Sequence, residues 1–143
     1  MKITLAFAAA LLMLVTSSHA ADKRQFVQLP EMMRDHMMRN MRDHLLALQT
    51  ITRQLSDGEY DAAADIAEQR LGMSSIQSHG ASHMAPYMPE GMRAAGTAMH
   101  QAASRFAVAA RSAEVEGGLS RAFGALSEVM AQCVACHSAY RIH

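Results

Sequence analysis

The chain has 143 residues, half of them apolar, with thirteen Lys and Arg balanced by thirteen Asp and Glu. That length bounds it to one domain of ordinary size, and the balanced charge excludes the basic surface that nucleic-acid binding requires. Aromatic residues are only 5%, tryptophan is absent, and Ala and Met are abundant, which favours helices over strands.

Residues 1–20 read as a secretory signal peptide. Lys2 supplies the positive end, Ile3 to Val15 the apolar core, and Ser18-His19-Ala20 the small residues of a cleavage site. The apolar run is too short to serve as a comfortable membrane anchor. No basic amphipathic stretch suggests a membrane-surface role either, so no stable membrane insertion is expected after cleavage. The expected organisation is a signal peptide over 1–20 and one mature unit over 21–143, located in the periplasm.

Leu29-Pro30-Glu31 looks like a helix entry, with Pro30 near the first turn and Glu31 at the positive end of the dipole. Arg34, Met38, Met41, Leu45 and Leu48 then step by four and three residues, and Leu55 rejoins them. This is an amphipathic helix at the period of bundle packing. Asp35, Arg39, Arg42 and Asp43 form its solvated face, and Ser56-Asp57-Gly58 ends it with turn chemistry. Five methionines fall here: Met32, Met33, Met37, Met38 and Met41. Most read as adaptable core filling. Met38 and Met41, on the inward stripe, are better placed than Met33 or Met37 for any ligating role. His36 and His44 read as surface or hydrogen-bonded histidines.

A second helix runs from Glu59 to Leu71, with Tyr60, Ala63, Ile66, Ala67 and Leu71 on one side and Gly72 as a natural terminator. The stretch 73–91 is less regular and concentrates His79, His83, Met84 and Met88. His79 and His83 are four residues apart, a spacing that binds a metal if the segment is helical. Methionine beside histidine would suit copper. The plainer reading is a connector closing one end of the core. Pro89-Glu90 opens a third long helix, whose stripe is Met92, Gly96, Met99, Ala103, Phe106, Ala110 and Ala113. Its small residues permit close approach of a neighbouring helix or of a flat ligand. After Gly117-Gly118 the last helix carries Leu119, Phe123, Leu126, Met130, Cys133, His137 and Tyr140 on one stripe.

That final stripe contains Cys133-Val134-Ala135-Cys136-His137, and C-x-x-C-H is the attachment signature of a c-type haem. Each thiol adds across one vinyl group of the porphyrin, and the histidine binds the iron from one face. On a helix the three side chains share a face. A thioredoxin-like dithiol would want a βαβ setting, and zinc would need further ligands. A disulfide across so short a loop would constrain little of the unfolded chain. One covalent haem c is the expected cofactor. A thioether opposite His137 would complete His/Met ligation, which suits electron transfer.

With four amphipathic helices and this motif on the last, the chain resembles cytochrome c′ and its low-spin relatives, the class II c-type cytochromes. The likeness is most specific where Cys133 to Arg141 matches the family's C-x-A-C-H-x-x-Y-R/K ending. It continues through Arg34, Met38, Met41, His44 and Leu45 and through Glu59 to Ala63, and leaves 73–91 without a counterpart. The resemblance implies an antiparallel four-helix bundle and allows an antiparallel homodimer. It places Arg34 at a propionate and Met38 at the distal position, where a methionine closes the sixth site in the low-spin relatives. Asp35 stands where the family often has Gln. Arg141, one turn beyond His137, is expected to flank the proximal face.

The expected function is therefore a periplasmic one-electron carrier passing electrons between redox proteins, not an enzyme. Cys133 and Cys136 would hold the haem, and His137 and Met38 would ligate its iron. The alternatives are a five-coordinate cytochrome c′ that binds NO or CO, and periplasmic copper binding through His79, His83 and the neighbouring methionines.

Overall fold

The computed structural model describes residues 21–116 and 118–143. The signal-peptide segment 1–20 and Gly117 lie outside the described residues. Helices dominate, and the chain is mostly α. In order, a two-residue strand β1 (Gln25–Phe26) precedes the long helix α1 (Glu31–Ser56). Next come α2 (Tyr60–Arg70), the one-turn helix α3 (Ala81–Met84), and the long helices α4 (Glu90–Glu116) and α5 (Leu119–Ala139). A second two-residue strand, β2 (Tyr140–Arg141), closes the chain. Among the described residues no helix is long and apolar enough to cross a membrane.

The turn after α1 forms as its residues dictate. Gly58 has φ +79°, a conformation costly to any residue with a Cβ, and its N–H donates to the Leu55 carbonyl at 3.3 Å. Gly72 acts differently from the terminator expected. Its φ is −74°, so no left-handed cap forms. Glycine is required there by space, because a Cβ would stand 2.8 Å from the Glu68 Cα.

Consecutive long helices pack on one another: α1 on α2, α2 on α4, and α4 on α5. An Asp43–Arg70 ion pair bridges α1 to α2, with Arg70 Nε 3.1 Å from the carboxylate and Nη2 3.2 Å from the Asp43 carbonyl. Arg70 holds the Asp43 carboxyl below the usual range. The main core joins Ile51 and Leu55 of α1 to Leu71, Phe106, Leu126 and Val129. Alanines fill most of the rest, and such small side chains let helix backbones approach closely. A second cluster gathers Val27, Leu29, Met37, Met84 and Met92, with Cys136, Tyr140 and Ile142 packed against it.

Two helices bury a face turned partly from the one their period suggests, while Leu55 of α1 and Leu126, Cys133 and Tyr140 of the last stripe pack inward as expected. In α1 the residues buried are Met37, Ala47, Ile51 and Leu55, while Leu45 is 69% exposed. In α5 they are Ala122, Leu126 and Val129, continued by Cys133, Cys136 and Tyr140 at the same spacing. Phe123 and Met130 are each 43% exposed. Both helices carry two adjacent apolar stripes, and packing against α2 and α4 selects one of them.

The strand pair is the element the sequence did not suggest. Gln25 pairs with Tyr140 and Phe26 with Arg141 in parallel, and the Val27 N–H donates to the Arg141 carbonyl at 2.8 Å. Arg141 lies over the Phe26 ring at 5.0 Å, a cation–π contact. The start of the described chain is thereby tied to the residues that follow the C-x-x-C-H motif.

A cavity between the motif and the first helix

The structure encloses a cavity of about 700 Å³, within the range of small-molecule and cofactor sites. Both core clusters contribute to its wall. From α5 come Cys133, Cys136 and His137; from α1 come Met37, Met38, Met41, His44, Leu45 and Leu48. Met38, Met41, Leu45 and Leu48 of the α1 stripe expected in the core thus face this cavity, whereas Leu55 lies in the main core. Seven methionines among the described residues line the wall, and no Asp or Glu side chain does.

Cys133 and Cys136 are both half-buried free thiols. Cys133 donates its S–H to the Val129 carbonyl at 3.6 Å. Burial pushes both thiols up, and at Cys136 the neighbouring Cys133 adds to the effect. A reactive redox dithiol needs the opposite, a lowered thiol pKa. His137 is exposed at the cavity edge.

Met38 lines the cavity, but so do Met41 and the more deeply buried Met37. Period alone had set Met37 aside. Arg141 is also on the wall, its Nε buried without a hydrogen bond and 3.5 Å from Asp22. Arg34 does not line the cavity; it stands 3.9 Å from Asp35 on the outside of α1. The other arginines that line the cavity with Arg141 are Arg24 and Arg93. Arg24 is brought there by the β1–β2 pairing, and its Nη1 donates to the His137 carbonyl at 3.4 Å. No local pattern in the sequence signals that long-range contact.

The His79/His83 pair is not assembled. Gly80, at φ +66°, separates His79 from α3, so the two histidines do not share a helix face. His83 is exposed and His79 is 9% exposed. His79 instead packs against two other histidines. Its ring centre is 4.7 Å from that of His44 and 5.3 Å from that of His100, and those two are 6.4 Å apart. All three line the cavity.

The His79 carbonyl accepts hydrogen bonds from His36 Nε2 and Asn40 Nδ2, both at 3.0 Å, which docks its segment on α1. His36 is therefore satisfied, as expected. His44 is not: its Nε2 is buried with no hydrogen-bond partner. Burial, and then the neighbouring His79 and His100, push the His44 pKa down to about 4. His100 sits one turn beyond Gly96, beside the expected α4 stripe, and only tertiary packing reveals its role.

The residues present fit a haem on three observations. The cavity is large and apolar, both cysteines and the histidine of the motif open onto it, and a Cβ added at Gly96 would meet nothing within 4 Å. Comparison with protein-family models, with curated proteins and with solved structures found no match to this chain.

Proposed function

We propose that the protein is a periplasmic c-type cytochrome, an antiparallel four-helix bundle of the class II kind, that carries single electrons between redox proteins. The observation that carries the reading is the convergence of Cys133, Cys136 and His137 on one apolar cavity whose α1 wall is rich in thioethers. A haem attached there supplies reversible one-electron chemistry at iron. The chain's own part is to hold and shield it. Cys133 and Cys136 would provide the thioether links, and His137 and Met38 would supply nitrogen and sulfur to the iron. Leu45, Leu48 and the remaining methionines would shield the group from water, and Arg141 and Arg24 would offer positive charge to its carboxylates. His137 and Met38 would hold the iron from the chain's side, and electron transfer rather than catalysis is the activity proposed.

The test is the optical spectrum of the exported protein, oxidised and reduced, with and without CO. Sharp, separate α and β bands in the reduced form, unmoved by CO, are the expected result. Broad high-spin bands that shift on CO addition would overturn the electron-carrier reading in favour of gas binding. Absence of any haem after expression with a c-type maturation system would overturn both.

A further inference from the structure

The C-x-x-C-H motif stands at the weakest part of its helix. Helix α5 ends at Ala139, so Cys136 and His137 belong to its last turn, where helices fray and carbonyls lack helical partners. The Cys136 carbonyl accepts from the Tyr140 N–H. An uninterrupted helix would meet the His137 carbonyl with the Arg141 N–H, but Arg141 stands in β2. That carbonyl is met from the other end of the chain, where Arg24 Nη1 donates to it at 3.4 Å. A cation placed there also faces the negative end of the helix dipole. Among the described residues the exposed His137 side chain makes no hydrogen bond, so its direction depends on the backbone that carries it.

Arg24 is itself held. Asp22 takes its guanidinium with both oxygens, Nε lying 3.0 Å from Oδ1 and Nη2 2.8 Å from Oδ2, and also accepts the Arg24 N–H at 3.1 Å. Such a two-point pair fixes direction as well as distance. The same Asp22 Oδ2 is 3.5 Å from Arg141 Nε. One carboxylate thus sits between the arginine that meets the motif and the arginine that follows it. Arg24 holds the Asp22 carboxyl down at about 2, first through its side chain and then through its backbone N–H, so the clamp is ionic throughout the neutral range. Further along, Val27 and Leu29 are buried in the cluster against which Cys136 and Tyr140 pack, and the Val27 N–H bonds the Arg141 carbonyl. We propose that residues 22–29 form a strap in which Asp22 and Arg24 are positioning residues for His137, fixing the last turn of α5 so that the imidazole meets the cavity in one orientation.

The inference rests on the proposed function for what the imidazole does, and on the strap's contacts for how it is held. A ligating histidine is ordinarily oriented by a hydrogen bond to its second ring nitrogen; here the backbone turn beneath the ring is pinned instead. This role differs from a contribution of charge alone. Asp22 and Arg24 carry opposite charges, so as isolated charges they would move the potential of a nearby iron in opposite directions when removed. As two halves of one clamp, removal of either loosens the same turn.

The test compares the full-length exported protein with Arg24→Gln and Asp22→Asn, and with Lys23→Gln as a neighbouring control. One readout is amide hydrogen exchange. The other is electron paramagnetic resonance of the oxidised protein, whose g values follow the direction of an axial imidazole. The Tyr140 amide, which closes the last turn on Cys136, should exchange about two- to fivefold faster in both variants, with the Phe106 amide of the main core unchanged. The resonance lines should broaden or split in both variants and stay narrow in the parent and in Lys23→Gln. Unchanged Tyr140 exchange in either variant would overturn the proposal. So would equal acceleration at Tyr140 and Phe106, which reports global loosening, or opposite shifts in reduction potential with unchanged line widths, which reports charge alone. A protein that carries no haem fails the functional reading, while Tyr140 exchange still tests the strap, so the two failures are distinguishable.

Discussion

His44 provides a direct test of the buried histidine cluster through the pH dependence of stability. Its pKa falls from an ordinary 6.5 to about 4 in the folded protein, first through burial and then through His79 and His100. Above pH 6.5 the ring is neutral in both folded and unfolded chains, and the residue makes no pH-dependent contribution. As the pH falls from 6.5 toward 4 the unfolded chain binds a proton that the folded chain refuses, so stability is lost across that window. Below about 4 both states are protonated and the loss is complete. The full effect is about 3 kcal/mol, of which about 2 kcal/mol develops by pH 5.

The perturbation is His44→Leu, which removes the titrating ring and its orphaned Nε2 while keeping an apolar side chain. Urea unfolding of parent and variant near pH 7.5 and pH 5 measures the two stabilities. The parent is expected to lose about 2 kcal/mol more than the variant between those conditions. Near pH 7.5 the variant should be no less stable, since an unsatisfied buried nitrogen has been replaced by carbon. Parallel losses in the two proteins would refute the reasoning. His79 is also shifted down, by burial and then by His100, so the variant keeps some acid sensitivity of its own.

Three further outcomes are expected. Met38→Ala should give the reduced protein a CO-dependent spectral shift that the parent lacks; an unchanged spectrum would move the distal role to Met37 or Met41. Phe106→Ala, at a side chain with no exposure at the centre of the main core, should cost about 3–5 kcal/mol in urea unfolding. Gly72→Ala should cost about 1–3 kcal/mol, because its Cβ would press on Glu68, whose carboxylate accepts from the Ser74 and Ser104 hydroxyls; a neutral result would show that this corner yields easily.

How much was legible in the sequence depended on whether the signal was local. The helices over Glu31–Ser56, Tyr60–Arg70, Glu90–Glu116 and Leu119–Ala139 follow from period, Pro-Glu starts and the Asp57-Gly58 turn. The α4 core face, from Met92 through Met99, Ala103 and Phe106 to Ala113, is buried as its spacing implies. The groups that meet across the fold were not legible. Arg24 reaches the cavity because β1 pairs with β2, more than a hundred residues on. His44, His79 and His100 come from α1, the 73–91 connector and α4, and none stands at a ligand-like interval from another. His79 and His83 do, and Gly80 separates them.

The turned faces of α1 and α5 have one cause. Hydrophobic period reports that a stripe avoids water; it does not report whether the stripe meets another helix or a ligand cavity. In α1 the stripe through Met38, Met41, Leu45 and Leu48 lines the cavity, while Ala47, Ile51 and Leu55 pack into the main core. In α5, Cys133 and Cys136 continue the stripe of Leu126 and Val129, so one face serves packing along one half and the cavity along the other. A helix with two apolar stripes of different ends is what a domain requires when its core must close at one end and open at the other. The sequence trace of that requirement is the change from Ala, Ile and Leu in the second half of α1 to methionine in the first. Methionine is the side chain able to line a space without filling it rigidly, and its concentration on the α1 wall, facing the two cysteines, marks where the fold opens.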